Sequence, residues 1–204
     1  LITSARGAVG DGHGDAHLVL VRESPHVSET ALGFQIKIND VLAGHAGLRR
    51  SEFGAIILVN KARLAKSQPL TLECAAFQGD FIPAWCSEAI PGNSVLSHAK
   101  SPSRPGMQFI TEHKTFMNSN DARKFAAFDQ WTGLRDRNMG NVIRHKAGGY
   151  ASIDHETMLH DILWVSSDFN HNCLVKHAEK TLDHKRVRAF KADMTRAAAG
   201  HAEC

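Results

Sequence analysis

Apolar positions in the first ninety residues come in short runs bounded by turn-forming residues, which is the pattern of strands. Ala16 to Arg22 is rich in Val and Leu and follows the glycine-rich GDGHGD at 10 to 15, so residues 1 to 23 are expected to form a hairpin. Pro25 and the polar SPHVSET interrupt the pattern. FQIKI then leads into NDVLAGHAGL, where Asn39 or Asp40 can cap a short helix that Gly47 helps to end. Gly54 to Asn60 reads as a buried strand, and further strand signals lie in LTLECAAF and FIPAWCSEAI around Gly79. The first ninety residues therefore predict sheet with one helix.

At PGNSVLSHAKSPSRPG, residues 91 to 106, Pro, Gly and Ser cluster and periodicity disappears, which places a lobe boundary there. Beyond it, SNDARKFAAFDQWTGL offers Ser119 or Asn120 as a cap and Asp121 in the first turn. Phe125, Phe128 and Trp131 or Leu134 follow at helical spacing, so this is expected to be a buried helix. A polar loop, DRNMGN, precedes two short strand-like pieces, VIRH and YASID, on either side of a glycine turn. The rest, from about Met158 to Ala199, has helical patterning.

Composition narrows the class. The 204 residues are 43% hydrophobic and 22% charged, with 6 Pro against 16 Gly, which suits an ordinary globular chain of one domain or two small lobes and excludes a disordered or fibrous one. Lys and Arg number 24 against 21 Asp and Glu; a net charge of +3 is too mild to point to nucleic acid. The longest apolar runs, AIILV and HLVLV, fall far short of the roughly 20 residues a bilayer crossing needs. The leading LITSARGAVG lacks the features of a signal peptide, so the chain is expected to be cytoplasmic, and its initial Leu in place of Met suggests a start upstream of Leu1. Cys74, Cys86, Cys173 and Cys204 stand singly, with no CxxC pair, and are expected to be reduced thiols.

The informative stretch is WTGLRDRNMGNVIRHKAGGYASIDHETMLHD, residues 131 to 161. Phosphoryl transfer from ATP needs a carboxylate to orient the acceptor hydroxyl and take its proton, and hard oxygen ligands to hold magnesium on the phosphates. Asp136, Asn141 and Asp154 supply that set. The spacing Asp, four residues, Asn lets one tight loop present a base and a metal ligand together, and a hairpin returns the second Asp beside the Asn.

This arrangement of helix, DRNxGN, hairpin and IDH resembles the catalytic and metal-binding segments of HipA-like kinases, whose atypical kinase fold is shared with phosphoinositide-type lipid kinases. Upstream, strand 16 to 22, the loop through Pro25 and the NDVLAGHAGL helix are similar to the small-lobe strand and C helix of that family, so about two thirds of the chain is covered. The resemblance implies a two-lobed α+β kinase-like fold. Residues 1 to 90 would form the sheet-rich small lobe, with a hinge near 85 to 92, and residues 91 to 204 the helical lobe, with ATP and Mg2+ bound between them. It implies that Asp136 is the catalytic aspartate, Asn141 and Asp154 the magnesium ligands and Asp40 the helix carboxylate. The adenine would lie against FIPAWCSEAI, and the acceptor would be a Ser or Thr hydroxyl of a protein. Leu20 stands where the family carries its phosphate-holding lysine. Arg22 shares a strand face with position 20 and Lys37 lies just before the helix, so these two are the candidate phosphate-binding cations.

Other readings compete. A degenerate kinase fold, kept as a nucleotide- or partner-binding module with an antitoxin-like partner, fits the missing lysine. His155, His160 and Asp161 in HETMLHD resemble the HD pair of metal-dependent phosphohydrolases, although the helical surroundings such sites need are replaced here by a hairpin. GDGHGD lacks the GK[ST] ending of a P-loop and reads as a turn. Cys173 and His177 have the i, i+4 spacing of metal ligands without a second pair, and HKRVRAFK at 184 to 191 reads as a solvated helix face.

Overall fold

The structure is a computed structural model and describes residues 4–7, 16–20, 41–51, 54–67, 79–100, 105–155 and 172–201. The architecture is α+β. The chain divides into two compact units: Leu1–Ile38 with Ser51–Ala89, and Asn39–Arg50 with Ile90–Cys204.

In the first unit, β1 (Ser4–Gly7), β2 (Ala16–Leu20), β3 (Gly54–Asn60) and β4 (Phe81–Glu88) make an antiparallel sheet in the order β1-β2-β4-β3. The expected hairpin is present: β1 and β2 pair from Ser4 opposite Val19 to Gly7 opposite Ala16. Asn60 ends β3 and starts α1 (Lys61–Ser67), its side-chain oxygen accepting the Arg63 N–H at 3.1 Å in the manner of a helix cap. Leu64 of α1 packs with Ile82 and Ala84 of β4, and Ile57 and Val59 of β3 join them. Gly54 to Asn60 forms the expected strand, but it is not buried on both faces. Leu58 is 70% exposed while Ile57 and Val59 point to the cluster, because β3 lies at the edge of the described strands with one face uncovered.

The second unit is largely helical. Residues 41–45 are helical and close at Gly47, whose φ of 67° is the left-handed conformation that glycine adopts without strain. Ala43 and Leu48 are buried in this unit's core, and the Arg49 carbonyl accepts the Ser152 N–H at 2.9 Å, so the segment 39–50 belongs here rather than with the first ninety residues around it. β5 (Gly92–Ser94) and a 3-10 turn (Val95–Lys100) follow. Then come α2 (Pro105–Asn118) and α3 (Asn120–Thr132), the strands β6 (Val142–His145) and β7 (Tyr150–Ser152), and the helices α4 (Cys173–Thr181) and α5 (His184–His201). The three strands form a sheet in the order β5-β6-β7. Gly92 is required by contact, since a Cβ there would lie 2.0 Å from the Arg144 carbonyl on β6.

Helix α3 forms as expected. Ser119 is its cap, accepting the Ala122 N–H at 3.2 Å, and Gly133 ends it with φ 69°. Phe125, Ala126, Phe128 and Asp129 line its buried face, against Phe116 of α2, Val175 of α4 and Phe190 of α5. Each buried phenylalanine contributes about 2–3 kcal/mol of transfer free energy. Helix α2 has no counterpart among the elements expected from the sequence. The Pro- and Ser-rich stretch before it obscures its start, yet Pro105 is the type of residue that opens a helix, and Phe109, Phe116 and Met117 carry its apolar side. No helix among the described residues is long and apolar enough to cross a membrane.

Candidate functional site

The site is built on the loop and hairpin C-terminal to α3. Gly133 turns the chain away from the helix and Leu134 inserts into the core at 1% exposure. Residues 135 to 141 then form a loop held by a turn of its own and by bonds to Leu96, Asp129, Ile153 and Cys173. Asn138 makes an Asx turn, its side-chain oxygen accepting the Gly140 N–H at 2.7 Å and its carbonyl the Asn141 N–H at 3.0 Å. A Cβ on Gly140 would lie 2.7 Å from that same Asn138 oxygen, so the turn favours glycine. Met139 is buried, and its carbonyl accepts the Leu96 N–H at 3.0 Å.

The two ends of the β6–β7 hairpin meet this loop. The Ile153 N–H donates to the Asn141 carbonyl at 3.1 Å, which returns the chain to the loop one residue before Asp154. The Asp121 carboxylate accepts the Tyr150 N–H at 2.8 Å and so ties the first turn of α3 to the start of β7. At the hairpin turn, Gly148 and Gly149 have φ of 90° and 73°, and Arg49 donates to the Gly148 carbonyl.

Asp136, Asn141 and Asp154 come together as their spacing predicts. Asp154 is exposed at the surface yet partly desolvated by the chain around it, which pushes its carboxyl up; the Asp136 carboxylate pushes it further, and Arg137 and Asn141 pull it back down. Asp136 therefore lies close enough for its charge to be felt at Asp154. Asn141 is 7% exposed, and its amide lies near the Asp154 carboxylate that it helps to pull down. Asp154 is also the one residue other than glycine, among those described, with a left-handed backbone, at φ 63°. Such a conformation costs about 1–3 kcal/mol and persists where the surroundings over-determine it, typically at functional sites.

Two side chains that no motif singled out hold the arrangement. Arg137 and Asp129 form an ion pair with both side chains fully buried: Nε donates to Oδ2 at 3.1 Å and Nη2 to Oδ1 at 2.7 Å. Nη1 donates to the Ile153 carbonyl at 3.0 Å. The signal in the sequence was faint: Asp129 falls on the apolar face of α3, where a carboxylate needs a buried cation.

The remaining candidates fall elsewhere. Arg22, Lys37 and Asp40, and the GDGHGD turn, lie outside the described residues. So do His160 and Asp161 of the HD reading, while its first member, His155, hydrogen-bonds the Ser152 hydroxyl at 2.7 Å and packs edge-on against Phe128. The Cys173 thiol donates to the Arg135 carbonyl at 2.8 Å, and His177 stands edge-on to His113 at 5.0 Å, so the two pack separately. In the basic run on α5, Phe190 is buried, Lys191 pairs with Glu179 and Arg186 with Asp183, as a solvated helix face would have it. Cys86 and Cys173 are free thiols.

Carboxylate and carboxamide oxygens are hard donors. Among the described residues no three His, Cys, Asp or Glu side chains cluster as metal ligands. The loop and hairpin bring the Asp136 and Asp154 carboxylates near the Asn141 carboxamide. No protein-family model matches the chain, and no curated protein matches it in sequence.

Proposed function

We propose that the chain is an ATP- and magnesium-dependent phosphotransferase of HipA-like type, with a two-lobed kinase-like fold, acting on a Ser or Thr hydroxyl of a protein. One observation carries this reading: Asp136, Asn141 and Asp154 converge from a tight loop and a hairpin end, with Asp154 held in a left-handed backbone. Asp136 is exposed at the loop and takes the role of base, orienting the acceptor hydroxyl and accepting its proton. Asn141 and Asp154 would offer their oxygens to the metal. Bound there, magnesium would neutralise charge on the phosphates. Arg22 or Lys37 supplies the second cation for the phosphates, with Asp40 as its partner, and the segment FIPAWCSEAI, which contains β4, carries the adenine.

The test is calorimetric titration of ATP with and without magnesium, on the wild type and on Asp154→Ala. Magnesium-dependent binding in the wild type that disappears in the variant, with the fold retained, is the expected result. Equal and metal-independent affinity in both removes the reading. Leu20, paired opposite Ala84 in the first sheet where the family has lysine, favours one alternative: a nucleotide-binding module without turnover. ATP binding with no phosphate transfer in the wild type, unchanged in Arg22→Met and Lys37→Met, would put that alternative first.

A further inference from the structure

Arg137 lies between the proposed base and the proposed metal ligand in sequence, yet it is 1% exposed and spends its guanidinium inside the protein. Desolvating two ions offsets most of their attraction, and an apolar pair of similar volume is often as stable, so stability alone is a poor reason for a buried Arg137–Asp129 contact. Its third arm suggests a better one. Both backbone polar groups of Ile153 are gripped by the loop: the N–H by the Asn141 carbonyl at 3.1 Å and the carbonyl by Arg137 Nη1 at 3.0 Å. That grip fixes the peptide plane from which the φ of Asp154 is measured, and Asp154 is the residue with the strained value of 63°.

We infer that Arg137, anchored on Asp129, is a positioning residue that holds the Ile153–Asp154 peptide so that the Asp154 carboxylate faces Asn141 and Asp136. The inference rests on reading those three residues as a phosphotransfer site, and it assigns the buried cation beside the base a part in that site. A planar fork that grips both oxygens of a carboxylate and a separate carbonyl at once is available to arginine and not to the single ammonium of lysine.

Two variants of the full chain test it. Arg137→Lys keeps the charge beside Asp129 and loses the arm to Ile153. The double variant Asp129→Leu with Arg137→Met replaces the ion pair by an apolar pair and is expected to stay folded. In both, hydrogen exchange at the Ile153 amide should speed up by about tenfold or more relative to the amides of α3. The magnesium concentration for half-maximal ATP turnover should rise by about 10–100-fold, with the KM for ATP at saturating magnesium changing less than about twofold. Exchange at Ile153 and a magnesium dependence both left at wild-type values, in either folded variant, overturn the inference. Should the double variant fail to fold, Arg137→Lys decides. Should the wild type transfer no phosphate, the functional reading fails on its own, and the exchange measurement still decides whether Arg137 holds the peptide.

Discussion

The two described sheets are both small and antiparallel, yet different forces hold them. In the first unit, β4 pairs with β2 over five residues and with β3 over seven, so backbone polar groups are satisfied along the ladder. The described apolar support beneath is slight, consisting of Leu64, Ile82 and Ala84 with Ile57 and Val59. In the second unit, β5 with β6 and β6 with β7 pair over only three residues each, too few to stand alone. That hairpin is pinned from outside by Asp121 on the Tyr150 N–H, by the Arg49 carbonyl on Ser152 and by the Asn141 carbonyl on Ile153. A strand set by its ladder has its direction fixed by its neighbours. One pinned by distant groups can be aimed, and the hairpin is aimed so that Asp154 meets Asn141 and Asp136.

The sharpest way to test that contrast is at the chemistry itself. Asp136→Asn keeps the shape of the side chain and removes its basicity, so turnover should fall by about 10²–10⁴ with ATP affinity retained. Steady-state rates beside calorimetric affinities measure both; lost binding with unchanged turnover per bound nucleotide would contradict the assignment. The next effect belongs to the other sheet. Leu64→Ala removes the largest side chain that α1 lends to a small cluster and should cost about 2–5 kcal/mol of stability, with faster exchange along the β3–β4 ladder. A loss below about 1 kcal/mol in urea unfolding would mean that the ladder, and not the cluster, holds this sheet.

The same contrast explains what the sequence made legible. Elements set by near neighbours could be read: Ser119 and Gly133 bracket α3, Gly54 to Asn60 is β3, and VIRH and YAS are β6 and β7. So could the spacing of Asp136, Asn141 and Asp154, because one loop and one hairpin bring them together. What depends on distant contacts was hidden. DRNMGN reads as a polar loop, and nothing local says that Arg137 turns inward to Asp129 while Asp136 beside it faces out. Residues 39–50 sit in a stretch dominated by strands, but Ala43 and Leu48 find their apolar partners after residue 90. Helix α2 was concealed by the Pro- and Ser-rich stretch that precedes it.

A third prediction concerns how the helices that flank the hairpin respond to acid. His113 of α2 stacks on Phe109 and meets His177 of α4 edge-on; burial, and then His177, lower its pKa to about 4. Burial and Lys180 lower that of His177. The unfolded chain takes up these protons near 6.5 and the folded chain only at lower pH, so in that window the unfolded state binds more protons. Stability should be complete above about pH 6.5 and fall by about 1–3 kcal/mol towards pH 4. His113→Leu should flatten the slope when urea midpoints are compared across that range. An unchanged slope would place the sensitivity elsewhere.

The smallest effect tests whether the pins on the hairpin are independent. The Tyr150 hydroxyl donates to the Glu112 carboxylate at 2.6 Å, and burial together with that carboxylate raises the pKa of the phenol, so it stays protonated. Tyr150→Phe deletes one hydrogen bond and little else. The ring keeps its edge-on contact with Phe116 at 4.8 Å and the Arg144 guanidinium above it at 5.0 Å. Glu112 keeps Arg144 at 3.7 Å, and the backbone N–H of residue 150 keeps Asp121. The expected cost is therefore about 1 kcal/mol in urea unfolding, with turnover within about twofold of wild type, because the bonds that aim Asp154 run through Ile153 and are untouched. A tenfold loss of turnover at nearly wild-type stability would show the reverse: the aim of the hairpin would then depend on its far edge, and its pins would act as one unit.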